Sequence, residues 1–174
     1  RWFNNRLHAN IAAYTIDWSN IQVQANRVSD QVQFATNIGG ATSRGVELEI
    51  NAFPTEGLLI GMNASWNDSE VDDLSATEAA ISGAVRGAPL SFPEFQGAIY
   101  LNYTRQLTAN IEGFAAVNAR HVDGFVNQFP NVPGRPGVQS PTYAPTEDYQ
   151  SVNASVGAYI GDNVTATLYV ENAF

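Results

Sequence analysis

His121 and Asp123 stand two residues apart at the end of an alternating segment, a spacing that puts an imidazole and a carboxylate on one face of a strand. That pair is the beginning of a ligand set for a divalent metal. The chain holds only one other histidine, His8, and no cysteine, and no third ligand stands close by in sequence. The two residues therefore read as a strand end entering a polar loop, and no metal site is expected. Glu47 and Glu49 form a second pair with the same spacing. Two carboxylates do acid–base work only at a defined separation and with shifted pKa values, and a water-facing wall accounts for them more simply. No nucleophile elbow and no glycine-rich phosphate loop is present. The chain is not expected to be an enzyme, and no cofactor is expected.

The elements that carry these residues show period-2 hydrophobicity. Seven segments alternate, at residues 7–23, 43–53, 57–67, 95–105, 108–121, 149–160 and 164–171. In residues 57–67, Leu58, Ile60, Met62, Ala64 and Trp66 fall on one face and Leu59, Gly61, Asn63, Ser65 and Asn67 on the other. The connections alternate long and short, at 24–42, 54–56, 68–94, 106–107, 122–148 and 161–163. A soluble sandwich has no reason to sort its loops this way, whereas an outer-membrane barrel has short periplasmic turns and long external loops. Pro54 with Gly57, and Gly161-Asp162-Asn163, carry turn chemistry. Within the second long connection, Ser75 and Glu78 have capping-box spacing for a short helix over residues 75–81. Residues 34–37 are expected at most to extend the second strand upward. Gly45, inside a strand, marks a bulge or a close approach of neighbouring groups.

Composition agrees with a two-faced wall. The 174 residues carry a net charge of −9, all eight basic residues are Arg, and charged residues make up 14%, against about 25% in soluble domains. An acidic chain without a basic stripe is a poor partner for nucleic acid. No run approaches the roughly 20 apolar residues of a membrane helix, and no signal peptide is recognisable. Trp18, Trp66 and Tyr149 are expected as an interfacial aromatic girdle at the long-loop side, and Phe53 and Tyr103 at the short-turn side. Arg44, Glu47, Glu49, Glu112 and Arg120 are expected to share the interior face, with the arginines near enough to pair with the acids. Ligand contacts are expected on the long loops, at Asp72, Asp73 and Arg86 in one and at Phe125, Phe129, Arg135 and Tyr143 in another.

Single-chain bacterial barrels have an even number of strands, and seven strands leave two unpaired edges that lipid would not tolerate. The chain is therefore expected to be a slice of a larger barrel. A small complete barrel, passive or structural, and a soluble β-rich adhesin or binding module are the other readings.

Three stretches carry a family resemblance. Tyr14-Thr15-Ile16-Asp17-Trp18-Ser19-Asn20-Ile21-Gln22 resembles a late barrel strand of TonB-dependent outer-membrane receptors, with its Asp-Trp/Tyr-x-x-Ile-Gln ending. Asn37-Ile38-Gly39-Gly40-Ala41-Thr42-Ser43-Arg44-Gly45-Val46-Glu47-Leu48 is similar to a glycine-containing segment of the same barrels, and Tyr169-Val170-Glu171-Asn172-Ala173-Phe174 to the end of their penultimate strand. The resemblance implies an all-β, up-and-down antiparallel segment of about seven strands. It would correspond to roughly strands 15–21 of a 22-stranded barrel, with the plug domain and closing strand lying outside the chain. It implies a place in the Gram-negative outer membrane and partners in lipid, the rest of the barrel, the plug and, through the plug, the TonB complex. The implied function is energised uptake of a scarce nutrient such as a ferric siderophore, cobalamin, haem or glycan.

Overall fold

The computed structural model describes residues 4–173. Seven strands form one antiparallel sheet in chain order. They are β1 (Leu7–Asn26), β2 (Gln33–Ala52), β3 (Leu58–Asp73), β4 (Phe95–Thr108), β5 (Ile111–Val122), β6 (Tyr149–Ile160) and β7 (Val164–Val170), with one helix, α1 (Ala76–Ser82), between β3 and β4. The up-and-down order is the one expected for a barrel segment. Phe174, which closes the third motif, lies outside the described residues.

The largest departure from expectation is at the first long connection. β1 and β2 continue upward as a paired hairpin, from Ser19↔Gly40 to Asn26↔Gln33, so a loop expected over residues 24–42 is only a turn over residues 27–32. Arg27 N–H donates to Val32 O at 2.9 Å and Gln31 N–H to Arg27 O at 2.8 Å, while Asp30 accepts from the Arg27 guanidinium at 3.1 Å. Residues 34–37 extend the strand as expected. Gly39-Gly40, inside the connection expected over residues 24–42, serve the sheet: a Cβ at Gly39 would fall on the carbonyl of Asp73. β3 follows β2 upward to Asp73, with a register shift between Gly40 and Ala41, so Asp68 to Asp73 are strand rather than loop. The second short turn also moves, from Gln106-Leu107 to Ala109-Asn110. Leu107 is bulged out of the ladder between Gln106 and Thr108, and the Gln106 side chain ties the turn to Thr108 O at 2.7 Å.

α1 forms where the capping box predicts it. Glu78 N–H donates to Ser75 Oγ at 3.3 Å, and Ser75 N–H donates to Glu78 Oε2 at 2.8 Å. Gly83 ends the helix at φ +75°, a conformation in which glycine carries no Cβ penalty.

Register sorts the sheet into two faces. One face stacks in rows: Leu7, Ala52, Ile60, Leu101 and Val117; then Ala9, Ile50, Met62, Ile99 and Ala119; then Ile11, Leu48 and Ala64. Ala13, Val46, Trp66 and Phe95 form the next row, and the row after it is Thr15, Arg44 and Asp68. Apolar character thus stops within one step. Ile11 is 77% exposed and Ile99 57%, an apolar surface of a kind that soluble monomers rarely show at this extent. Buried apolar side chains lie elsewhere, at Ala25, Ile38, Ala41, Val71, Ala84, Ala88 and Val126, and they form a small core where the long connections pack on the β1–β2 hairpin.

Arg44 lies on this apolar-lined face, paired with Thr15 and Asp68, and not on the face of Glu47 and Glu49. Alternation runs unbroken from Ala41 to Ala52, so an even-numbered residue cannot join the odd-numbered acids. Of the expected girdle, Trp66 and Tyr103 lie on the apolar face, whereas Trp18 is paired with Ala41 and Tyr149 with Val122, both on the polar one. Phe53 packs edge-on against His8, 5.8 Å between centroids, again on the polar side. Phe95, beside Trp66, takes the girdle position.

Candidate functional site: a polar wall and its loop cap

The polar face is built from the alternate residues of the same strands. Glu49 accepts from Asn10 Nδ2 and from Asn51 Nδ2, each at 3.0 Å. Tyr100 O–H reaches Asn51 Oδ1 at 2.6 Å. Higher on the wall, Asn67 Oδ1 accepts from Ser43 Oγ at 2.7 Å, Ser69 Oγ at 2.8 Å and Tyr14 O–H at 3.4 Å. These contacts need glycine opposite the rings: the Tyr14 ring lies over Gly45, and the Tyr100 ring over Gly61. Asn10, Glu47, Glu49, Asn63, Tyr100 and Arg120 line a concavity of about 670 Å³.

Glu47, Glu49, Glu112 and Arg120 share this polar face. The expected ion pairs do not form. Glu49 and Arg120 sit in one row, through Asn63 and Ala98, and three strand spacings put them about 14 Å apart along it. Glu112 is on β5 with Arg120, near the opposite end. The salt bridges among the described residues are Arg27–Asp30, Arg86–Asp73 and His121–Asp123. The wall therefore presents carboxylates on β2 and a guanidinium on β5 that do not neutralise each other.

The loop residues do not converge on one point. Asp73 and Arg86 pair at 3.6 Å with both side chains exposed, a contact of little energetic weight. Asp72 lies at the β3 register shift, where its carboxylate accepts from Thr42 Oγ1. Phe125 is held by its backbone, its N–H donating to Thr146 Oγ1 at 3.1 Å. Phe129 borders a hollow shared with Val23 and Ser82, Arg135 is exposed, and Tyr143 is half-buried.

The connections are instead tied to one another. Asn131 N–H donates to Gly83 O and Gly134 N–H to Ala80 O, each at 3.0 Å. Gln31 Nε2 donates to Gly134 O at 2.8 Å, and Gly39 N–H to Glu78 Oε1 at 3.0 Å. Both long connections and the β1–β2 hairpin thus form one cap through α1. Ser75, through its side chain and its backbone N–H, and then Gly39, through its N–H, hold the Glu78 carboxyl below the usual carboxylate range.

At the base of the longer connection, His121 Nε2 and Asp123 Oδ1 are 2.8 Å apart. β5–β6 pairing brings Asp148 to them, and ligand atoms of all three lie within 4.8 Å of one another. A third ligand therefore stands nearby after all, in space and not in sequence.

A family model described as TonB dependent receptor-like, beta-barrel, matches residues 1–173. The chain belongs to the TonB-dependent receptor β-barrel family. No curated protein and no solved structure matches it. TonB-dependent receptors are outer-membrane transporters whose barrels work with a plug domain and with TonB, and this chain is a barrel part of such a receptor. In the receptor segment, two features went unread in the sequence. The Tyr100–Asn51 and Asn67 clusters could have been found from glycines facing aromatics across neighbouring strands, a pairing that register alone reveals. Asp148 carried no local signal.

Proposed function

We propose that the polar face lines the interior of a receptor that imports a scarce nutrient, and that the cap over residues 74–94 and 123–148 contributes to its capture. Ferric siderophores, cobalamin, haem and glycans are the candidate cargo classes. Glu47, Glu49, Glu112 and Arg120 would meet the plug or the passing cargo, and Asp72, Asp73, Arg86, Phe125, Phe129, Arg135 and Tyr143 the cargo outside. The apolar face meets lipid, and β1 and β7 pair with the remainder of the barrel. The plug and TonB complete the machine.

The observation that carries this reading is the division of the sheet into two faces. On one face the apolar rows end at a polar row of Thr15, Arg44 and Asp68, while the alternate residues of the same strands carry Glu47, Glu49, Asn63 and Arg120. From Trp66 down to Leu58 the apolar stretch spans about 27 Å of strand, or about 20 Å of membrane depth at the roughly 40° tilt of outer-membrane barrels, close to their ~25 Å band.

The test is nutritional. A strain whose receptor carries a short turn in place of residues 123–148 is grown with iron chelates, haem, cobalamin or an oligosaccharide as the limiting source. Loss of TonB-dependent growth on one class identifies the cargo. Wild-type growth on every class, with the protein correctly inserted, overturns the role given to the cap.

A further inference from the structure

The geometry points to a divalent transition-metal site, of which Zn²⁺ is the best match, made by His121, Asp123 and Asp148 at the root of the connection over residues 123–148. The three ligand atoms lie within 4.8 Å of one another. A tetrahedral ion with bonds near 2.1 Å holds its ligands about 3.4 Å apart, so small side-chain rotations bring them to bonding distance. His121 and Asp123 already touch at 2.8 Å. Asp148 is held by Gly124 N–H, which donates to its Oδ1 at 2.8 Å, leaving Oδ2 for an ion. The His121 ring packs on Phe95, 6.1 Å between centroids, and sits on β5, so the nitrogen ligand is supplied by a rigid strand and not by a loop.

One imidazole and two carboxylates select against Mg²⁺ and Ca²⁺, which prefer all-oxygen shells, and suit Zn²⁺ with water in the fourth position. Charge supports occupancy: no Arg pairs with Asp123 or Asp148 among the described residues, so two carboxylates face one imidazole. The position gives the ion a task. Asp123 directly follows β5 and Asp148 directly precedes β6, so one ion would join both ends of the connection. It would fasten the loop root where β5 emerges from the apolar band. The site does not depend on the identity of the transported cargo.

The experiment uses the whole receptor containing this chain, purified from outer membranes in detergent and stripped with chelator. Zn²⁺ binding is measured by calorimetry on the wild type, His121→Gln, Asp148→Asn and, as a control at the opposite end of the sheet, Asp162→Asn. His121→Gln keeps a hydrogen-bond donor for Asp123 while removing the nitrogen ligand. One Zn²⁺ site should weaken at least tenfold in both ligand variants and stay unchanged in Asp162→Asn, and Zn²⁺ should slow proteolysis within residues 123–148 of the wild type and Asp162→Asn but not of the two ligand variants. Equal Zn²⁺ binding by the wild type and both ligand variants, or no stoichiometric binding, overturns the site. Protection by Ca²⁺ but not by Zn²⁺ overturns the role of the imidazole.

Discussion

Tyr100 passes over Gly61 and donates its phenolic hydrogen to Asn51, two strands away, at 2.6 Å. The bond ties β4 to β2 across the polar face of β3, and the ring covers the stretch of backbone that Gly61 leaves bare.

Gly61→Ala is therefore expected to destabilise the barrel without removing any contact directly, because the new Cβ would occupy the ring's place. The cost of such overpacking is about 1–3 kcal/mol. Tyr100→Phe keeps the ring and loses only the hydrogen bond, for about 1 kcal/mol. Urea unfolding of the receptor, followed by loss of the folded band on unheated gels, should rank wild type above Tyr100→Phe and Tyr100→Phe above Gly61→Ala. Equal stability of wild type and Gly61→Ala would mean that the ring does not lie there.

Ile99 sits in the middle row of the apolar face, level with Ile50 and Met62, and is 57% exposed. Ile99→Arg should cost roughly 2–4 kcal/mol, the penalty of a cation at mid-membrane on a barrel's lipid face. Arg44→Leu, at the boundary row of the same face, should change stability by less than about 1 kcal/mol. Folding into vesicles measures both. A tolerated arginine at 99 would remove the lipid from that face.

Glu78 connects the cap to pH. Its folded pKa lies below the ordinary value of 4.5 because Ser75 and Gly39 hydrogen-bond its charged form. A carboxylate with a depressed folded pKa stabilises the folded state fully above its unfolded value, and that contribution is lost as pH falls through the folded value. Cleavage within residues 74–94 by an acid-tolerant protease should therefore be constant above about pH 5 and rise below pH 4.5 in the wild type. In Glu78→Gln, which has no charge to lose, the added acid dependence should vanish. A profile unchanged by that substitution would separate Glu78 from the cap's stability.

Much of the sheet was legible because period-2 alternation survives in every strand, and α1 because Ser75 and Glu78 form a complete local signal. What was missed required non-local information. Gly39-Gly40 looks like a break until β3 is known to press its carbonyl against Gly39. Asp148 joins His121 only through the pairing of β5 with β6. Arg44 is a different case: its charge argues for the interior, counting through Gly45 assigns the other face, and on this sheet the polar boundary admits an arginine there. For Trp18 and Tyr149, too, parity outweighs residue type.

The β1–β2 hairpin sets a distance. From Thr15, in the boundary row, to Asn26 the strand covers about 37 Å, which at a 40° tilt would stand about 28 Å above a lipid surface at that row. Under the proposed function, cargo met at the hairpin tip would be met at that height, nearly a membrane's thickness outside the bilayer, and would then descend along the wall to the level of Glu49. Recognition and passage would thus be separate stages, and a substitution at the hairpin tip could change what is admitted without altering how it is carried through.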